Sequence, residues 1–327
     1  MKLFKKALLI AGAVAALSVQ AEAATYKFAV NIANNGSTAE ALNNFAAGVE
    51  ERTEGRVKFK FFWNGVLGSQ ESYLQQIQKG VVDLGLVNSA TLENLIPTFG
   101  AINLPYVFRT AEEYGKVMDD PAVKDVLFTS AAEHRFAPLG YLSSGFRSLY
   151  VTKPVEDISG LAGLKIRTMS SATYIEMLRL FGAVPTPLAR SELFAGMQQG
   201  VVDGAEGGLA GLYDGKLGEV AKWALKTDQT RLTDFTVTSL DFREKLDPAD
   251  LKIVEEEFAR VSAGTLAVAD KHQNEAAELA AKEYGVTIVD IDTAPLMEAV
   301  KPMYAEARKD EGTRKLLDKI FEIEGRE

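Results

Sequence analysis

The segment Ile77-Gln78-Lys79-Gly80-Val81-Val82-Asp83 returns later in the chain as Met197-Gln198-Gln199-Gly200-Val201-Val202-Asp203. Each copy spells the end of a helix, a glycine cap, a short β-branched run and an acid. The flanks repeat as well. Before the first copy, 27–32 (KFAVNI) reads as a strand, 33–36 as a loop, and a helix starts at Ser37, where Ser37 and Glu40 form a capping box. That helix carries Leu42, Phe45 and Val49 at helical spacing and stops at Gly55. The alternating run 57–61 is a half-buried strand, 69–79 a helix closed by Gly80, and 81–87 a strand. Around the second copy, 165–168 (KIRT) is a strand, 171–181 a helix ending at Gly182, and 191–199 a further helix. A βαβ order repeated at a fixed offset points to two similar α/β lobes. Chance recurrence of a Gly-Val-Val triplet is the competing explanation, and the matching flanks weigh against it. At ~150 residues per domain, 327 residues accommodate two lobes with their own cores.

Beyond the second copy, 235–240 (FTVTSL) reads as a strand, and 248–284 has no proline after its first residue and a single glycine. Leu251, Val254, Phe258 and Val261 form a helical stripe there. A helix over that stretch would be ~55 Å long, enough to brace both lobes. Two shorter helices are expected on either side of Pro302.

The N-terminus has a different character. Lys2, Lys5 and Lys6 precede the apolar run 7–17, and Ala21-Glu22-Ala23 forms a small-residue cleavage site, so 1–23 reads as a secretory signal peptide. A retained membrane anchor is the alternative, disfavoured because the run falls short of the ~20 residues a spanning helix needs. The expected destination is a bacterial periplasm, with the mature chain free of the membrane.

Composition closes several classes. There is no cysteine, so disulfide frameworks, thiolate metal sites and cysteine nucleophiles are excluded. A net charge of −9 argues against nucleic acid as a partner. No phosphate-binding glycine loop, dinucleotide fingerprint, zinc-protease motif or nucleophile elbow occurs. His134 and His272, the only histidines, lie in a charged stretch and on the long helix, and neither reads as catalytic. Carboxylates are plentiful but show no metal-loop spacing.

Two arginines stand out. Arg147 follows a glycine turn in Ser143-Ser144-Gly145-Phe146-Arg147, and Arg167 lies inside the short strand KIRT. An arginine in a buried strand is costly unless paired, and its planar fork suits a carboxylate. A structural salt bridge explains either one equally well on residue type alone.

In order and spacing, a set of motifs resembles the solute-binding proteins of tripartite ATP-independent periplasmic (TRAP) transporters, DctP type. They are Gly65-Val66-Leu67-Gly68, Leu104-Pro105-Tyr106-Val107-Phe108, Gly145-Phe146-Arg147, Gly163-Leu164-Lys165-Ile166-Arg167, Gly182-Ala183-Val184-Pro185, Ser191-Glu192 and Gln198 to Asp203. The resemblance covers nearly the whole mature chain. It implies a two-lobed periplasmic-binding-protein-like α/β fold with a ligand cleft between the lobes. Lobe I is expected at 24–144 plus about 233–272, and lobe II at 145–232 plus about 273–327. It implies a receptor that collects an organic acid for ion-gradient-driven membrane permease subunits, acting as a monomer without catalysis, cofactor or metal.

Carried over position by position, Arg167 matches the arginine that pairs with the ligand carboxylate, and Arg147 a second cleft arginine. Asn31 and Asn88 match polar first-lobe positions that reach the ligand, and Glu206 a glutamate after the second-lobe strand. The chain departs from the pattern at Gly207, where an asparagine often bonds the ligand, and at Arg190, where an aromatic or apolar residue is frequent. Trp63 replaces a usual proline and Gln229 a frequent histidine. Arg190 either adds a third cationic contact, favouring a dianion, or points to solvent beside Glu192. A periplasmic enzyme acting on an organic acid and a binding protein of an ATP-driven importer are the competing functions. The solute class, whether C4-dicarboxylate, sugar acid, keto acid or aromatic acid, stays open.

Overall fold

A computed structural model describes residues 23–326; the signal segment lies outside them apart from Ala23. Nine strands are found among these residues: β1 Ala24–Ala29, β2 Val57–Phe62, β3 Leu84–Asn88, β4 Phe136–Val151, β5 Lys165–Thr168, β6 Val184–Pro187, β7 Gly204–Gly208, β8 Trp223–Ser239 and β9 Thr287–Asp290. They join in the order β2-β1-β3-β8-β4-β7-β5-β6, with β9 on β8.

The organising elements are the long antiparallel pair β4 and β8. The parallel strands β2, β1 and β3 attach through β3 to residues 234–238 of β8, whereas β7, β5 and β6 attach through β7 to residues 147–151 of β4. Two parallel half-sheets thus hang from opposite ends of one pair of crossing strands, giving two lobes. The crossing strands are irregular at the join, with register shifts between Ser143 and Phe146 and between Arg147 and Leu149.

The repeated segment is a repeated structure. Gly80 and Gly200 both take positive φ, 68° and 71°, which glycine alone adopts without strain. The next amide in each copy closes the helix, Val81 on the Gln76 carbonyl at 2.9 Å and Val201 on the Gly196 carbonyl at 2.8 Å. Val82 and Val202 are buried while Val81 and Val201 are exposed. Each aspartate then holds the neighbouring strand: Asp83 Oδ2 accepts from the Lys27 amide at 2.8 Å, and Asp203 Oδ2 from the Lys165 amide at 3.0 Å. The valines therefore belong to the turn, and the strand follows the acid, not the glycine; β3 begins at Leu84, not at 81.

Other expectations shift. The first strand is Ala24–Ala29, not 27–32, and the following helix, Gly36–Arg52, has Asn35 at its N-cap with no side-chain bond, so the Ser37/Glu40 capping box does not form. The expected helix 191–199 is a 3-10 turn, Arg190–Glu192, followed by the helix Leu193–Gln198. The strand expected at 235–240 is only the end of β8. Pro302 does not separate two helices; it sits in the first turn of Lys301–Ala307, where its missing N–H costs nothing.

The long helix is Pro248–Tyr284, started by an Asp247 carboxylate that accepts from the Ala249 amide at 2.8 Å and stopped by Gly285 at φ 67°. It is tied to the first lobe by Arg56–Asp250 at 2.8 Å and Arg52–Glu257 at 3.0 Å. Arg231 of β8 reaches it at Asp270, 2.8 Å away, with the guanidinium between the rings of Tyr114 and Phe146. Near its end it meets the second lobe, where Lys222 Nζ donates to the Tyr284 carbonyl at 2.7 Å. Part of the segment 273–327, expected with lobe II, reaches back to the first. Tyr304, Thr313 and Arg326 donate to the carbonyls of Pro105, Pro97 and Val107 at 2.7, 3.1 and 2.7 Å.

Candidate functional site

A cleft of about 450 Å³ opens between the half-sheets. Its walls come from the carboxyl ends of the parallel strands, the place where open α/β sheets bind ligands. β1 delivers Asn31, β3 Asn88, β5 Arg167, the turn after β6 Arg190, and β7 Glu206 and Gly207; β4 contributes Arg147 from between the two register shifts.

Arg167 is buried, and among the described residues its side chain makes one hydrogen bond, from Nε to the Leu188 carbonyl at 2.8 Å. No carboxylate pairs with it among the described residues. Burial lowers its pKa to about 10; the Glu206 charge opposes this and Arg190 adds to it.

Arg147 is in a different state. Its Nε donates to Glu206 Oε2 at 2.7 Å and its Nη2 to the Glu206 carbonyl at 3.2 Å. Burial by itself would lower the Arg147 pKa, but the Glu206 charge and hydrogen bond outweigh it and the pKa is raised. The structural salt bridge thus describes Arg147, whereas Arg167 has no carboxylate partner among the described residues. Glu206 Oε1 is buried without a partner among the described residues.

Asn88 is partly committed: Oδ1 caps the next helix at the Thr91 amide, 2.8 Å, and Nδ2 donates to Met169 Sδ at 3.4 Å. Arg190 lines the cleft without a carboxylate partner among the described residues, packed toward Gly211 and Gly215. Its neighbour Glu192 turns to the Ala189 amide at 3.2 Å instead. At Gly207, a Cβ would lie 2.4 Å from Tyr150 Oη, so the space for a side chain is taken.

Two expected residues are not among those lining the cleft. Trp63, just past the edge strand β2, stacks on Phe61 with ring centroids 4.9 Å apart. Gln229 is buried in the irregular part of β8, bonded through its side chain to Thr227 and through its carbonyl to the Tyr106 amide at 2.8 Å. Both are absorbed by packing.

Several lining residues were not anticipated. Gln273 of the long helix donates to the Ser144 carbonyl and accepts from the Ala210 amide, both at 2.6 Å, stapling β4 to the segment after β7. Asp234 accepts from Ser144 Oγ, and burial raises its pKa. Tyr150 is three residues beyond Arg147, a spacing that strict alternation puts on the opposite face; the shift between Arg147 and Leu149 brings both to the cleft.

No helix among the described residues is long and apolar enough to cross a membrane, and no group of three or more His, Asp or Glu side chains there is placed to hold a metal.

Comparisons with known proteins agree with this geometry. The model of the DctP family, bacterial extracellular solute-binding protein family 7, matches residues 28–310. The protein YiiZ of Salmonella typhimurium is 36% identical over 272 residues, 83% of each chain. A TRAP periplasmic solute-binding protein of Anaerococcus prevotii, solved with bound D-glucuronate, superposes with a TM-score of 0.86 at 29% identity, covering 91% of this chain and 97% of that one. One from Xanthobacter autotrophicus with bound β-D-galacturonate gives 0.85 at 26% identity, over 90% and 98%. With its sheet order, its interlobe cleft and a family model matched over most of its length, this chain belongs to the DctP family of bacterial extracellular solute-binding proteins.

Proposed function

We propose that this protein is a periplasmic receptor that captures a sugar acid by its carboxylate and hands it, unchanged, to the membrane permease of a TRAP transporter. The observation that carries this reading is Arg167, a buried guanidinium facing the cleft with no carboxylate of its own. The sugar acids held by the Anaerococcus and Xanthobacter proteins support the choice of solute class. A sugar acid also matches the rest of the wall, where Asn31, Asn88 and the free Glu206 oxygen offer partners for hydroxyl groups. The two lobes, divided near 144 and 232, close over the solute by bending at the irregular join of β4 and β8. The protein works as a monomer, and binding rather than turnover is its task.

The test is a thermal-shift screen of the mature protein against D-glucuronate, D-galacturonate, D-galactonate, succinate and pyruvate. A sugar acid at 100 times its Kd should add about 2.7 kcal/mol to stability and be recovered chemically unchanged. No shift with any acid, or conversion of one, would overturn the reading.

Arg190 bears on whether the solute carries a second anionic end. If it does, Arg190→Ala weakens galactarate, with two carboxylates, at least about tenfold more than galacturonate, with one, as expected for loss of a charge-assisted contact. Equal losses measured by calorimetry would remove the dianion from consideration.

A further inference from the structure

The side chain that sits where Gly207 has none is Tyr150. Its ring is buried, and an added Cβ at Gly207 would lie 2.4 Å from its Oη and 3.0 to 3.1 Å from Cε1 and Cζ. The hydroxyl borders the cleft and makes no hydrogen bond to any described residue, although buried tyrosine hydroxyls are normally partnered. Its charged neighbours are Arg190, Arg147, Arg167 and Glu206. Guanidinium groups only donate, so none of the three arginines can receive the phenolic proton. Glu206 has Oε2 engaged by Arg147, and its other oxygen, Oε1, though without a partner, is not bonded to the Tyr150 hydroxyl. The acceptor must enter with whatever fills the cleft.

We propose that Tyr150 contacts the bound solute directly, donating its hydroxyl hydrogen to an oxygen of the acid beside Arg167, and that Gly207 lacks a side chain so that this hydroxyl can occupy the position. The inference rests on the reading of the protein as a sugar-acid receptor and adds a specificity-determining residue to it. Burial raises the Tyr150 pKa, more than the neighbouring arginines lower it, which keeps the proton on the oxygen at neutral pH. The donor is therefore neutral and directional, suited to discriminate ligands by where they place an oxygen, a task the long-range arginine charges perform poorly.

The experiment is calorimetric titration of wild type, Tyr150→Phe, Gly207→Ala and the double variant with D-glucuronate and D-galacturonate. Tyr150→Phe keeps the ring and should lose about tenfold in affinity for the acid that wild type binds, with the melting temperature of the empty protein within about 2 °C of wild type. Gly207→Ala should also weaken binding by displacing the hydroxyl, and its further cost should shrink in the Tyr150→Phe background, a coupling that two independent packing defects would not show. Wild-type affinity retained within twofold in Tyr150→Phe, or strictly additive losses, would overturn the assignment while leaving the receptor reading intact. Failure of wild type to bind any of the five acids of the thermal-shift screen would overturn both.

Discussion

Replacing Arg167 with alanine is expected to reduce affinity for any carboxylate solute by at least about 100-fold without destabilising the empty protein. The first half follows from chemistry: a fork of two charge-assisted hydrogen bonds contributes about 3 kcal/mol or more, a hundredfold or greater in Kd. The second half follows from the pKa. The Arg167 guanidinium is lowered from the ordinary arginine value to about 10, chiefly by burial, so the folded state holds this proton less firmly than the unfolded chain does. From about pH 10 up to the ordinary arginine value the unfolded chain binds more protons, and stability rises with pH through that window as the folded group sheds its charge. Below it, at neutral pH, both states are charged and the whole penalty is present. Arg167→Ala removes that penalty and loses the bond to the Leu188 carbonyl and the weaker attraction of the Glu206 charge. Its urea midpoint without ligand should equal or exceed that of wild type. Binding retained within a few-fold would show that the solute is anchored elsewhere. A large drop in midpoint would show that Arg167 is a structural residue.

The parts of the fold legible in the sequence are those fixed by local chemistry. The glycine turns at Gly80 and Gly200, the helix starts near Ser69 and Ser171, and the span of the long helix are each set by a few adjacent residues. The crossing strands were not legible for the opposite reason. β4 contains Gly145 at φ 79° and β8 contains Asp228 at φ 44°, breaks that read as turns, and β8 buries the polar residues Thr227, Gln229 and Thr230 around a half-buried Asp228, a run that does not look like a strand interior. Only the partner strand makes these segments extended. The same irregularity hid Tyr150, because a register shift reverses the alternation from which facing is judged. In the site, Arg147 and Arg167 were equally plausible as salt-bridged or free. What separates them is the approach of Glu206 from β7, a contact across 59 residues of sequence that no local pattern encodes.

That contact gives the second large effect. Glu206 is fully buried and its partner Arg147 nearly so. Glu206→Leu is expected to destabilise the protein by about 3 to 5 kcal/mol, because it strands a guanidinium whose burial nothing then offsets. Arg147→Met should cost a similar amount by stranding the carboxylate. The double variant Arg147→Met with Glu206→Leu should be closer to wild type than either single change, since a buried ion pair returns little more than its own desolvation cost and apolar side chains of similar volume carry none. Urea unfolding of the four proteins without ligand measures this directly. Additive losses in the double variant would mean that the pair is held by separate contacts, such as the Arg147 guanidinium over the Tyr174 ring at 5.9 Å, and not by its own charges. A double variant restored to near wild-type stability would show that the sheet does not need this ion pair to fold. Its place beside Arg167 would then be explained by binding: Glu206 neutralises one of the two arginines that β4 and β5 bring to the cleft, leaving Arg167 as the unpaired charge of that pair for the solute.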